Sequence, residues 1–130
     1  MSILHIDHYN LRADSVLLDT LRQFYCDVIG LKIGARPPLN SVGYWLYAGD
    51  KDVLHLSQAS SDNIRQSHVK GTFDHIAFLC DDLQNTEYQL LKKGIPYKRL
   101  TIPQTDQVQL FLSDPAGNRI ELSFPPLCKL

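Results

Sequence analysis

The residues of this chain best suited to chemistry are four side chains of the kinds that bind metal ions: His8, His55, His75 and Glu121. They form two pairs of nearly equal spacing, because 47 residues separate His8 from His55 and 46 separate His75 from Glu121. Neutral imidazole binds Zn, Ni, Fe or Co, and a carboxylate adds negative charge and also suits Mn. The set predicts one divalent transition-metal ion per site, with all four side chains as ligands.

An internal repeat makes the two pairs equivalent. Ile-Asp-His at 6–8 recurs as Phe-Asp-His at 73–75, and Val-Leu-His-Leu-Ser at 53–57 recurs as Arg-Ile-Glu-Leu-Ser at 119–123. If the first and last strands of each half are neighbours in a sheet, and the two sheets face each other, the four donors converge. His5 and His68 have no counterpart in the other half, so we interpret them as ordinary core or surface imidazoles.

Hydrophobic patterning predicts the elements that must position these donors. Alternation of period two predicts strands at 3–11, 31–34, 43–48, 53–58, 72–80 and 95–102 and a hairpin at 107–124. Amphipathic helices are predicted over 15–30 and from 81 or 82 to 93, each with an Asp or Ser cap before it and a Gly at its end. The order βαβββ therefore occurs twice.

This order predicts an α+β fold in which two tandem βαβββ modules form a curved, partly closed mixed sheet with helices on the outside. The 130 residues suit a single domain. Within it we expect the first module at 3–59, a polar linker at 60–71 and the second module at 72–125. A lone module leaves a sheet edge and one face open, which favours a homodimer.

The final hairpin predicts the direction in which one of the four side chains, that of Glu121, points. Ile120 and Leu122 flank Glu121, so the carboxylate projects from the opposite face of the strand, and the turn at 114–118 has Pro and Gly where a tight connection needs them. This position suits a ligand, and Glu121 or His55 could also act as a general base. The alternative for Glu121 is a solvated outer face, as on many antiparallel sheets.

The same alternation places aromatic and polar side chains on the donor face. The predicted substrate-binding residues there are Asn10, Trp45, Tyr47, Gln109 and Phe111, with Ser57, Ala77 and Ser123 beside them. Aromatic surface with a few polar groups is what a small-molecule pocket needs. Alternatively, Trp45 and Phe111 are core or partner-facing aromatics. Arg36 is a further candidate for an anionic substrate, although it and Lys51 can equally be solvated loop charges.

Composition excludes several classes of partner. The 13 basic and 14 acidic residues give a formal charge of −1, which offers no footprint for nucleic acid or an acidic membrane. No apolar run approaches the roughly 18 residues of a membrane span, and the N-terminus lacks the pattern of a signal peptide, so we expect a cytoplasmic protein. The three cysteines are widely spaced, which favours reduced, structural thiols.

The chain resembles the vicinal oxygen chelate superfamily, which includes glyoxalase I, extradiol dioxygenases, fosfomycin-resistance thiol transferases and bleomycin-binding proteins. The resemblance spans almost the whole chain and is most specific in the segments 7–11, 24–31, 73–78 and 114–122. In metal-using members the first strand of each module gives a His and the final strand a Glu, which implies His8, His75 and Glu121 as ligands here. A fourth ligand position falls on His55, where glyoxalase I has a Glu.

The resemblance implies a metal-dependent enzyme whose small substrate binds the metal through two adjacent oxygens. Its reaction is an isomerase or lyase reaction of glyoxalase type, or an extradiol-type dioxygenase reaction. A fourth protein ligand at His55 favours Lewis-acid chemistry over oxygen activation, and the loss of one carboxylate favours an anionic ligand. The alternatives are a metal-free protein that sequesters a drug or metabolite, and a fosfomycin-type thiol transferase.

Overall fold

The computed structural model describes residues 1–2, 4–59, 73 and 75–126. The chain divides into two compact units, Met1–Val69 and Lys70–Leu130. The expected linker at 60–71, His68 and Cys128 lie outside the described residues. None of the helices in the described part has the length and apolar character needed to cross a membrane.

The first unit contains four strands and one helix. They are β1 (Tyr9–Ala13), α1 (Ser15–Phe24, followed by a π-helical turn at Tyr25–Ile29), β2 (Lys32–Gly34), β3 (Gly43–Ala48) and β4 (Lys51–Gln58). The strand order in the sheet is β1-β4-β3-β2. The first and last strands pair in parallel, and the other neighbours pair antiparallel.

The second unit repeats this arrangement. Its elements are β5 (His75–Leu79), α2 (Leu83–Lys92), β6 (Lys98–Thr101), β7 (Val108–Ser113) and β8 (Arg119–Phe124). The strand order is β5-β8-β7-β6, again with the first and last strands parallel. The predicted α+β class with two βαβββ modules is confirmed, and each module forms its own four-stranded mixed sheet.

The strands that carry donors are shorter than the alternation suggested. The parallel pairing of β1 begins at Tyr9, opposite Leu54 on β4, whereas alternating residues begin at 3. The described residues before Tyr9, which are 1–2 and 4–8, have no strand partner, so alternation alone does not make them part of the sheet. As a result, His8 lies immediately before β1 instead of within it.

Helix caps follow the signals in the sequence. The Asp14 carboxylate accepts a hydrogen bond from the backbone N–H of Leu17 at 2.9 Å, and Gly30 ends the helical segment at φ 93°. Asp82 caps α2 in the same way by accepting from the backbone N–H of Asn85 at 3.2 Å. These caps satisfy N–H groups that a helix leaves unpaired in its first turn.

One face of the first sheet is buried and the other carries the donors. Leu54 and Leu56 on β4 are fully buried, and α1 packs on this strand with Leu18 and Leu21 among its buried residues. Side chains alternate across a strand, so His55, between the two leucines, projects from the other face. The apolar core therefore fixes the direction of the imidazole.

The turn between β7 and β8 is built around a buried carboxylate. Asp114 accepts hydrogen bonds from the backbone N–H groups of Ala116 at 2.9 Å and Asn118 at 2.8 Å, and from the Asn118 side-chain amide at 2.9 Å. Gly117 takes the left-handed conformation that the tight turn requires, at φ 85°. The predicted turn is confirmed, and it sets the register of β8 and thus the position of Glu121.

Cys26 and Cys80 are free thiols that are partly buried. Burial raises the pKa of both thiols above the usual value, because desolvation disfavours the thiolate. A protonated thiol is a poor nucleophile. This agrees with the interpretation of both residues as structural.

We predict that Asp114→Ala lowers the free energy of unfolding by about 2–3 kcal/mol, because a charged acceptor of three hydrogen bonds is lost from a buried turn. Urea unfolding followed by circular dichroism measures the change. Asp106→Ala, at an exposed aspartate whose side chain makes no hydrogen bond or ion pair with a described residue, is the matched control and should be nearly neutral. Equal effects of the two substitutions would contradict the assignment.

We also predict that alkylation of Cys26 and Cys80 in the native protein begins at higher pH than in a denatured sample. The raised pKa of each thiol keeps it protonated as the pH increases through the usual range. Peptide mapping by mass spectrometry after iodoacetamide treatment at several pH values separates these sites from Cys128. Identical pH profiles in the native and denatured samples would refute the prediction.

Candidate functional site

In the first unit, His55 is the middle ring of a stack of three. It lies on β4 opposite Asn10 of β1 and Trp45 of β3. The His8 ring is stacked on it with centroids 3.8 Å apart and planes inclined by 17°, and the Trp45 ring lies on its other side at 4.0 Å and 6°. His55 is only 8 % exposed. The structure therefore brings the two predicted ligands of this unit into direct contact.

Each of the two imidazoles is hydrogen-bonded to a carboxylate. His8 Nδ1 lies 2.7 Å from Asp7 Oδ2, and His55 Nε2 lies 2.6 Å from Asp52 Oδ2. Lys51 joins the carboxylates, since its Nζ lies 2.7 Å from Asp7 Oδ1 and 3.4 Å from Asp52 Oδ1. We call Asp7, Lys51 and Asp52 the Lys51 network.

These contacts change the acidity of the network. The hydrogen bond from Lys51, followed by that from His8, lowers the pKa of Asp7 to about 2. The hydrogen bond from His55 lowers the pKa of Asp52, and the hydrogen bond to Asp7 raises the pKa of Lys51. In each case a partner of opposite charge or a donor stabilises the charged form. The carboxylates are therefore ionised acceptors at neutral pH.

A β-bulge brings Asp52 to the same face as His55. Tyr47 pairs with Asp52 while Leu46 pairs with Leu54, so β4 contains one extra residue at Val53. In a regular strand, positions three apart lie on opposite faces, and Asp52 would point away from His55. The bulge reverses the alternation at this point and allows the 2.6 Å contact.

In the second unit, His75 and Glu121 also lie side by side. Glu121 on β8 pairs with Ala77 of β5 and Phe111 of β7 and is 8 % exposed, so the solvated outer face considered for it is wrong. His75 Nε2 lies 3.7 Å from Glu121 Oε1. Two ligand atoms bound to one tetrahedral ion at about 2.1 Å lie about 3.4 Å apart, so this pair is close to the spacing that a metal ion requires.

Glu121 is held in place by the neighbouring strand. The side-chain amide of Gln109 on β7 donates a hydrogen bond of 3.0 Å to Glu121 Oε1. Among the described residues, Gln109 and His75 are the polar side-chain partners of Glu121 and both lie against Oε1, so Oε2 makes no hydrogen bond to them. A fixed carboxylate with an available oxygen can bind a cation or accept a proton.

The two donor pairs occupy equivalent register positions. Asn10 pairs with His55 and Ala77 pairs with Glu121, and in each unit the second donor lies two residues earlier in the chain. The sequence repeat is thus reproduced in the strand pairing. Within neither unit do the described residues gather three or more His, Cys, Asp or Glu side chains in an arrangement suited to a metal ion. Each unit contains one pair of potential metal-binding side chains.

The chemistry of the pairs fits a divalent transition metal, with one geometric condition in the first unit. His8 Nε2 and His55 Nδ1 make no hydrogen bonds to described residues, so in the neutral rings both can present lone pairs. Lone pairs lie in the ring plane, however, and two nearly parallel planes 3.8 Å apart do not direct them at one point. For both nitrogens to bind one ion at about 2.0–2.1 Å, the rings must tilt apart.

The residues predicted to bind substrate lie mostly on the donor faces. Asn10 Oδ1 accepts a hydrogen bond from Ser57 at 2.9 Å, and Phe111 meets the His75 ring edge to face with centroids 6.0 Å apart. The Tyr47 hydroxyl donates to the Ala35 carbonyl. Trp45 and Gln109 contact the donors directly, as described above. These positions are consistent with the alternation on which they were predicted.

Arg36 is occupied within its own loop. Its guanidinium donates to the backbone carbonyl and the hydroxyl of Ser41 at 2.8 and 2.9 Å. These bonds brace the connection between β2 and β3. Its contact with a substrate stays a prediction.

Sequence reasoning missed the Lys51 network and one further cation. Asp52 lay outside the predicted strand at 53–58, whereas β4 begins at Lys51, and Lys51 was considered only as a loop charge. Arg119 lies over the Phe111 ring with its Cζ 4.2 Å from the centroid, and pairs in register with His75. Arg119 precedes Glu121 by two residues on β8, so the alternation of the predicted hairpin already placed both side chains on the same face.

Comparisons with known proteins show the family of this chain. Residues 5–122 match the family model of the Glyoxalase/Bleomycin resistance protein/Dioxygenase superfamily. Among curated proteins no match is found. The chain therefore belongs to this superfamily, which is the vicinal oxygen chelate superfamily that its sequence resembles.

Several solved structures are similar over nearly the full chain. A protein assigned to the glyoxalase family from Bacillus anthracis has a TM-score of 0.73 at 25% identity, with 96% of this chain and 98% of that one covered. Lactoylglutathione lyase from Agrobacterium tumefaciens has a TM-score of 0.65 at 24% identity, with 97% of both chains covered. An antibiotic-binding protein from a Streptomyces species has a TM-score of 0.66 at 20% identity, with 96% and 98% covered.

We predict that Zn²⁺ produces a saturable change in the fluorescence of Trp45, the only tryptophan of the chain. The His55 ring must tilt to bind a metal, and the indole stacked on it at 4.0 Å then changes its surroundings. A fluorescence titration of metal-free protein measures the change, and His5→Ala should leave it intact. Metal binding detected by calorimetry without any change in emission would contradict tilting of the stack.

Proposed function

We propose that this protein is a divalent-metal-dependent enzyme that acts on a small substrate bound through two adjacent oxygens. The observation that carries the proposal is the 3.7 Å separation of His75 Nε2 and Glu121 Oε1, which is close to the spacing of two ligands on one ion. The His8 and His55 pair at the equivalent positions of the other unit supports it. We propose His8, His55, His75 and Glu121 as the ligands of one Zn, Ni, Fe, Mn or Co ion.

A bound ion of this kind supplies Lewis-acid stabilisation of negative charge on substrate oxygens, worth several kcal/mol in metal enzymes. The chain itself supplies the proton acceptor. Glu121 suits this role because Gln109 fixes Oε1 while Oε2 makes no hydrogen bond to a described residue. His55 is the second candidate only if it leaves the ion, since Asp52 occupies Nε2 and Nδ1 is the nitrogen that would bind the metal. A general base needs such an available atom, held within hydrogen-bonding distance of the proton that it removes.

The side chains around the donors favour an anionic substrate with an apolar part. Trp45 and Phe111 offer aromatic surface, and Arg119 lies over Phe111 with its charge 4.2 Å from the ring centroid. Glu121 is the single carboxylate in the proposed ligand set, so a bound divalent ion keeps a positive charge. An enediolate-like anion would be stabilised by this combination.

We favour a lyase or isomerase reaction over an extradiol-type dioxygenase reaction. A fourth protein ligand at His55 leaves fewer coordination positions on the ion for dioxygen and substrate together. The similarity of fold to a lactoylglutathione lyase accords with this choice.

We further propose that the enzyme acts as a homodimer in the cytoplasm and has no nucleic-acid or membrane partner.

A metal-free sequestering protein is the second candidate. The observation that favours it is the closed stack of His8, His55 and Trp45, in which one nitrogen of each imidazole is already hydrogen-bonded. A protein similar in fold binds an antibiotic. In that case Trp45 and Phe111 would hold the ligand by stacking, and the histidines would serve only to order the aromatic surface.

We predict that His75→Ala and Glu121→Gln each weaken metal binding by about 100-fold and reduce kcat/KM by a similar factor or more, since each removes a ligand. Metal analysis of untreated protein and titration with Zn, Ni, Mn and Fe(II) measure the first effect. Turnover of the methylglyoxal–glutathione adduct, catechol and fosfomycin measures the second.

His5→Ala is the matched control, because the only hydrogen bond of its side chain within the described residues is to the neighbouring Ile6 carbonyl. It should change neither metal affinity nor activity. If untreated protein contains no transition metal, binds none on titration, and still binds an aromatic antibiotic, the enzymatic proposal is wrong and the sequestering function replaces it.

A further inference from the structure

The two imidazoles of the first unit are held by opposite nitrogens. His8 is hydrogen-bonded at Nδ1 and His55 at Nε2, each to an aspartate. An ionised carboxylate only accepts hydrogen bonds, so in a neutral ring the bonded nitrogen must carry the proton. The lone pair is then on Nε2 of His8 and on Nδ1 of His55.

We infer that the Lys51 network selects these two tautomers and thereby decides which nitrogen of each ring is available to a metal. This inference rests on the proposed function for its consequence in metal binding, although the tautomers are a property of the metal-free protein. Asp7 and Asp52 act here as positioning residues. A carboxylate that fixes the orientation and tautomer of a ligating histidine is a common support of metal sites.

The contacts of Lys51 show that the three residues act as one unit. Each aspartate uses Oδ2 for its histidine and Oδ1 for the ammonium group, at 2.7 Å for Asp7 and 3.4 Å for Asp52. Lys51 thus fixes the carboxylate rotation that aims the other oxygen at each imidazole. Residues at the start of β4 are tied in this way to the segment before β1.

The two halves of the network differ in their shielding from solvent. The side chains of His55 and Asp52 are 10% and 21% exposed, whereas those of His8 and Asp7 are 38% and 63% exposed. Exposed ion pairs are weakened by water and salt. The Asp52 contact should therefore hold its imidazole more firmly than the Asp7 contact does.

The His8 contact nevertheless gives the sharper spectroscopic test. Neutral histidine in water favours the tautomer with the proton on Nε2, so the Asp52 contact retains the favoured form at His55. The Asp7 contact imposes the less favoured form, with the proton on Nδ1, at His8. Removal of Asp7 should return His8 to the tautomer of the free amino acid.

The experiment is ¹⁵N NMR of the metal-free, ring-labelled full chain at a pH at which both rings are neutral, with His8→Gln and His55→Gln used for assignment. The unsubstituted protein should show His8 protonated at Nδ1 and His55 at Nε2. The opposite assignment for either ring overturns the inference without any further variant.

Variants then test the role of the network. Asp7→Ala should move the proton of His8 to Nε2, Asp7→Glu should largely restore it, and Lys51→Met should broaden the tautomer distribution of both rings. Asp50→Asn is the matched control, because Asp50 is an exposed neighbour whose side chain makes no hydrogen bond or ion pair with a described residue. Unchanged ring shifts in a folded Asp7→Ala protein would refute the selection of the His8 tautomer.

Metal affinity separates this inference from the proposed function. Asp52→Ala should weaken Zn²⁺ binding by about 10- to 100-fold, and Asp7→Ala by less. If the tautomers are as stated but the protein binds no metal, the proposed function fails and the tautomer selection stands. If metal binds equally well in Asp52→Ala and the ring shifts do not respond to any variant, the inference fails alone.

Discussion

The site depends on one form of strand pairing, the parallel ladder between the first and last strands of each unit. The ladder places Asn10 opposite His55 and Ala77 opposite Glu121, with His8 and His75 two residues earlier. Parallel neighbours require a crossover connection, which the helix and two further strands of each module provide. The register of this ladder, together with the leucines on the buried face, is what brings two donors from distant parts of the sequence into contact.

The two units have the same backbone plan but surround their donors differently. In the second unit a carboxylate and an imidazole lie at a spacing close to that of two metal ligands, with an amide holding the carboxylate. In the first unit two imidazoles are stacked and restrained by the Lys51 network. The pair in the second unit thus already has nearly the spacing of two ligands on one ion, whereas the stacked rings of the first unit do not direct their lone pairs at one point.

Much of this arrangement was accessible from the sequence. Alternation and the repeat predicted both modules, the donor pairs, the hairpin turn and the common face of Trp45 with His55. The start of β1 was not accessible, because alternation continues beyond the point where pairing ends at Tyr9. Asp52 was missed because the predicted strand began at Val53, whereas β4 begins at Lys51 and its bulge at Val53 turns Asp52 to the face of His55. The position of a bulge depends on the partner strand as well as on the residues that form it, so the residues of β4 alone do not reveal it.

The bulge in β4 also divides the strand into an inner part, which is fixed by the core, and an outer part, which is not. Residues after Val53 are tied to the core through Leu54 and Leu56, and any shift there would displace the imidazole itself. Residues before it, at the hairpin end, set the charge and hydrogen bonding around that imidazole without touching the core. Substitutions in this short outer segment can therefore change the hydrogen bonding of His55 while the leucines that hold the strand on the core stay in place.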